Sequence, residues 1–72
     1  MIEPDAEQIY FKESAWNHIR AAYNYKQQGR LARAQESLLE ARYFEAKIHP
    51  RFIDRELTEN IDRIGKIITR GY

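Results

Sequence analysis

Two histidines, a serine near one of them and a scatter of carboxylates are the residues of this chain able to make or break bonds. A nucleophilic serine needs a base that is itself held by a third group. Ser14 stands near His18, but no third group completes the set. A metal site takes three or four donors, whereas His18 and His49 fall on different predicted elements and only Glu45 and His49 have ligand-like i,i+4 spacing. The acids are dispersed along exposed helix faces rather than paired for proton transfer, and no glycine-rich loop could cradle a phosphate. These residue types predict a protein that is not an enzyme and uses neither metal nor cofactor.

What remains is a binding surface. Between Glu13 and Glu36 there is no acid, while Arg20, Lys26, Arg30 and Arg33 are interleaved with Trp16, Tyr23 and Tyr25. Such a segment suits an acidic peptide. It also suits a nucleic acid whose phosphates meet the lysine and arginine side chains while its nucleobases stack on the aromatics. Part of this charge has an ordinary role, since Lys26 counters the negative end of a helix. The net charge of +1 exerts no general pull on polyanions. At 72 residues the chain makes one domain, and a core of that size supplies only about 3–5 kcal/mol. Stabilisation by a partner, or self-association as a homodimer, is therefore expected. There is no cysteine to staple the fold or bind a metal. No apolar run approaches the ~18 residues of a membrane span, and Met1-Ile2-Glu3-Pro4-Asp5 lacks the basic and apolar parts of a secretion signal. A soluble, cytoplasmic protein is expected.

Hydrophobic periodicity predicts an all-α fold, a three-helix bundle made of an antiparallel hairpin and a C-terminal helix. The helices span about 6–28, 30–48 and 50–70. Asp5 caps the first, with Gln8 completing a capping box, and Phe11, Ala15, Ile19, Ala22 and Tyr23 form its stripe. Ile9 and Trp16 widen that stripe on one edge, His18 and Tyr25 on the other. So wide an arc implies two neighbours. Ser14 offers an alternative cap that would break the helix there. Gly29 supplies the turn. The second helix shows two apolar stripes: Leu31, Ala34, Leu38, Ala41 and Ile48 on one face, and Ala32, Leu39, Tyr43 and Ala46 on another. Two faces predict a helix sandwiched between the first helix and the third. The third begins at Pro50 or at a cap on Asp54. Its stripe is Ile53, Leu57, Ile61, Ile64, Ile67 and Ile68, with Glu59–Arg63 and Asp62–Lys66 as exposed i,i+4 pairs. Gly65 marks either a close crossing or a loose end, and Gly71 fits a stop.

The hairpin resembles one tetratricopeptide unit. With Gly29 at the turn, Ala34, Leu38 and Ala41 fall on the small, large and small positions of the unit's second helix, and Ala22 and Tyr25 on the small and aromatic positions of its first. The match covers residues 15 to about 46 and is followed by a capping helix. His18, Ala21 and Ala46 depart from the pattern, standing where the unit has tryptophan, leucine and proline. The chain is also similar to MIT domains, three-helix bundles of about this length, with Tyr43-Phe44 near their aromatic pair. The tetratricopeptide resemblance implies a ligand-facing surface at Trp16, Ile19, Tyr23 and Lys26. Joined to neighbouring Arg20 and Arg30, it implies an adaptor or chaperone-like module that grips a peptide or helix of another protein. The alternative is a small nucleic-acid-binding protein using the basic turn. A helix-turn-helix reading would make the helix from Arg30 the recognition helix, but two apolar faces leave it little polar surface to enter a groove.

Overall fold

The computed structural model describes residues 5–70, and all regular structure among them is helical. Helix α1 spans Ala6–Gln27, α2 Leu31–Lys47 and α3 Arg55–Arg70, with a single 3-10 turn at Pro50–Phe52 before α3. The bundle is long and thin, 44 × 17 × 14 Å. Gly71 lies outside the described residues.

Helix α1 is continuous through Ser14. Asp5 caps it, accepting from the Gln8 N–H at 2.9 Å. The expected capping box is only half made. The Gln8 side-chain oxygen accepts instead from the backbone N–H of His49, 2.8 Å away and 41 residues on, tying the start of α1 to the α2–α3 connection.

At the other end of α1 the chain reverses through a Schellman turn. The Arg30 N–H donates to the Tyr25 carbonyl at 2.9 Å and the Gly29 N–H to the Lys26 carbonyl at 3.0 Å. Gly29 sits at φ +76°, the left-handed region that a Cβ disfavours. The hairpin then packs through fully buried alanines, Ala15 and Ala22 from α1 with Ala34 and Ala41 from α2. Small side chains let the two backbones approach closely.

Helix α3 corrects the sandwich expectation. It lies in the furrow between α1 and α2, touching both, so α2 is not held between two partners. Leu57 and Ile61 are fully buried there and Ile64 and Ile68 nearly so. Each can shed water on two sides in the furrow, which the sparser stripe of Ala32, Leu39, Tyr43 and Ala46 could not provide. That stripe faces solvent, with Leu39 66% and Tyr43 56% exposed.

The predicted third helix is also broken at its start. Pro50 opens the 3-10 turn rather than α3, and His49 Nδ1 accepts from the Arg51 N–H at 3.1 Å to cap it. Asp54 then starts α3, its Oδ1 accepting from the Glu56 N–H at 2.9 Å while Oδ2 pairs with Lys12 of α1 at 3.4 Å. Ile53 precedes the helix and is exposed. The ion pairs on α3 differ as well. Glu59 reaches back to Arg55 at 3.3 Å and Asp62 across to Arg42 of α2 at 3.9 Å.

Gly65 marks a close crossing. It is buried, and a Cβ built there meets Leu38 Cδ2 at 3.5 Å and Arg42 Nη2 at 3.0 Å. The second contact is the end of a long side chain that is 46% exposed and able to swing aside. Removing a mid-helix glycine gains roughly 1 kcal/mol of helix propensity. Gly65→Ala should therefore raise stability, by about 0.5–1 kcal/mol in a urea melt. A loss in the same assay would mean that the Arg42–Asp62 pair fixes the guanidinium in place.

Candidate binding groove

Seven residues separate Trp16 from Tyr23, two turns of helix, so both project from one edge of α1. Helix α3 runs alongside that edge. Between the two helices lies an open groove of about 470 Å³, lined from α1 by Trp16, Ile19, Arg20, Tyr23 and Asn24 and from α3 by Asn60, Arg63, Ile64 and Ile67. Ile19 and Ile64 form its floor, 5% and 6% exposed, while Trp16 is half-buried and Tyr23 47% exposed. No carboxylate lines the groove. Its charged groups are the guanidinium ends of Arg20 and Arg63, and Arg63 makes no ion pair among the described residues because Glu59 turns to Arg55.

Trp16 borders two further hollows. One, about 510 Å³, runs toward the start of α1 and is lined by Ile9, Lys12 and Phe52 among others. The other is shared with Glu13, Asn17 and Arg20. Glu13 lines both hollows, so an acid stands between Ile9 and the groove on this side of α1.

Of the six residues predicted for the partner surface, Trp16, Ile19, Arg20 and Tyr23 come together in the groove. Lys26 and Arg30 do not line it. Lys26 belongs to the last turn of α1 and Arg30 to the reverse turn beyond, so both sit at the hairpin end. The α3 wall lies outside the predicted set: Ile64 and Ile67 belong to the predicted apolar stripe of the third helix, and Arg63, expected in an exposed pair with Glu59, lines the groove instead.

The residues considered for chemistry have structural surroundings. The His18 ring stacks on Phe44, with centroids 5.6 Å apart and planes 8° from parallel. Nδ1 of His49 accepts the bond that caps the 3-10 turn. Glu45 has a buried Oε2 without a hydrogen-bond partner among the described residues. Among those residues no three metal-binding side chains converge, and no helix is long and apolar enough to cross a membrane.

No protein-family model matches this chain, and neither a curated protein nor a solved structure shows significant similarity to it.

Proposed function

We propose that this chain is a non-enzymatic protein-interaction module whose α1/α3 groove holds an apolar side chain of a partner protein flanked by Asp or Glu. The observation that carries the reading is the lining of the groove: an isoleucine floor, a half-buried tryptophan wall and two arginines, with no acid. Tryptophan, tyrosine and arginine are the residue types most often found to dominate binding energy. Here they stand together over apolar surface already formed in the free chain. The tetratricopeptide-like placement of Trp16, Ile19 and Tyr23 on a ligand-facing surface points the same way.

A peptide display selection tests this. Peptides enriched on the wild-type chain should share one large apolar residue next to acidic residues. The enrichment should vanish on Trp16→Ala checked for helix content by circular dichroism. Trp16 is the only tryptophan, so its fluorescence reports occupancy directly. Equal enrichment on both proteins would overturn the reading. Tight oligonucleotide binding that weakens steeply with salt would replace it with the nucleic-acid alternative.

A further inference from the structure

We propose that the partner segment seated in the α1/α3 groove is an amphipathic helix running antiparallel to both walls, with acids in its first turns and a basic residue near its end. The proposal rests on the groove reading above and adds the conformation, direction and charge order of the occupant.

The first observation is the form of the walls. Helix α2 reverses on α1 at Gly29, and α3 reverses on α2, since Arg42 pairs with Asp62 while the earlier Leu38 meets the later Gly65. Helices α1 and α3 therefore run the same way. Trp16, Ile19, Arg20 and Tyr23 stand at i, i+3, i+4 and i+7 on one wall, and Asn60, Arg63, Ile64 and Ile67 repeat that spacing on the other. Each wall is thus two turns long, about 10 Å. Paired ridges of this kind accept the ridge of a third helix, as the furrow between α1 and α2 accepts α3. An extended segment is poorly served there. The main-chain groups of both walls bond within their own helices, and among the described residues there is no strand edge. Such a segment would lay its N–H and C=O groups over Ile19, Ile64 and Ile67 without main-chain partners. A helix satisfies its own.

The second observation is the order of charge. Glu13 lies three residues before Trp16 and makes no ion pair among the described residues, whereas Lys12 is paired with Asp54 and Arg55 with Glu59. Within the groove stand Arg20 and Arg63, and a hollow that shares Arg63 and Ile67 with it leads on to Lys66 and Arg70. The acids of that hollow, Glu59 and Asp62, are turned to Arg55 and Arg42. The charge left over therefore passes from acid to base in the direction of α1 and α3. A complementary occupant carries acids toward the hairpin end and a base beside Glu13. A helix is itself stabilised by acids in its first turn and bases in its last. Both requirements are met when the occupant starts at the hairpin end, which also opposes its dipole to those of α1 and α3.

Peptides enriched on the wild-type chain supply the probe. Synthetic copies should gain helical circular dichroism on binding, beyond the sum of the free components, and a proline at a central position should weaken them at least about tenfold. The chain has no cysteine, so direction can be trapped. Asn24 ends the groove near the hairpin and Asn60 opens it at the other end. A cysteine at the peptide's N-terminus should form a disulfide with Asn24→Cys in preference to Asn60→Cys, and a cysteine at its C-terminus should prefer Asn60→Cys. Glu13→Lys should weaken binding several-fold, and exchanging the peptide's last basic residue for Glu should restore it. Enriched peptides that bind without gaining helix, or that are trapped in the opposite direction, would overturn the proposal and leave the groove reading standing. A groove filled by a second copy of the chain, seen in sedimentation as a dimer that Trp16→Ala dissolves, would overturn it as well. Failure to enrich any peptide that depends on Trp16 would remove both.

Discussion

Replacing Leu57 by alanine is expected to cost about 2–5 kcal/mol, enough to leave much of the population unfolded at 37 °C. Leu57 and Ile61 are the two large side chains with no exposure at all, and Leu57 sits in the first turn of α3, where the helix enters the furrow. The lost methyl groups forfeit their transfer free energy, and the hole adds a further penalty because a furrow bounded by two close-packed helices cannot fully collapse. The core of a 72-residue chain supplies only about 3–5 kcal/mol in all. A urea titration followed by circular dichroism should show the midpoint fall to near zero denaturant. A midpoint within a few tenths molar of wild type would mean that α3 contributes little to the folded state.

The second large effect concerns binding. If the groove holds an apolar anchor flanked by acids, Trp16→Ala should weaken the complex by roughly 2 kcal/mol or more, about thirtyfold, almost wholly through faster dissociation. Contacts made only after docking govern how long a complex lasts. Arg20→Glu and Arg63→Glu should instead slow association, since long-range charge acts on the encounter, and that loss should shrink as salt rises. Stopped-flow measurement with a selected peptide separates the two rates. A Trp16→Ala variant that binds with an unchanged off-rate would return this side chain to the role of a lid over Ile19 and Ile64.

How much of this was legible beforehand depended on whether a pattern had one solution. The α3 isoleucines could satisfy a 3.6-residue period only as a helix with one buried side, and Gly29 between two amphipathic stretches could only be a turn. The outer stripe of α2 was different. Periodicity shows that Leu39 and Tyr43 share a face, but not whether anything covers it. The covering helix went to the furrow, where its side chains lose water on two sides. The candidate site was legible on α1 alone, because Trp16, Ile19, Arg20 and Tyr23 recur at helical spacing. Its other wall depends on how α3 lies beside α1, and on the choice of Glu59 between Arg55 and Arg63. Both choices are one turn away along the same helix, so spacing does not decide between them.

The unequal packing of the helices has a dynamic consequence. The α1–α2 contact is much the more extensive and is formed by neighbours in sequence, whereas α3 makes fewer contacts with each and carries a glycine in its middle. Local contacts close early and cheaply in chain entropy. The hairpin should therefore form as the first cooperative unit and α3 should be the part that opens without global unfolding. Native-state hydrogen exchange should show α3 amides with a lower opening free energy and a smaller denaturant dependence than those around Ala22 and Ala41. Such an opening would dismantle one wall of the groove. Capture of a partner there would then slow exchange throughout α3, and uniform protection across all three helices would instead mark the bundle as a single unit.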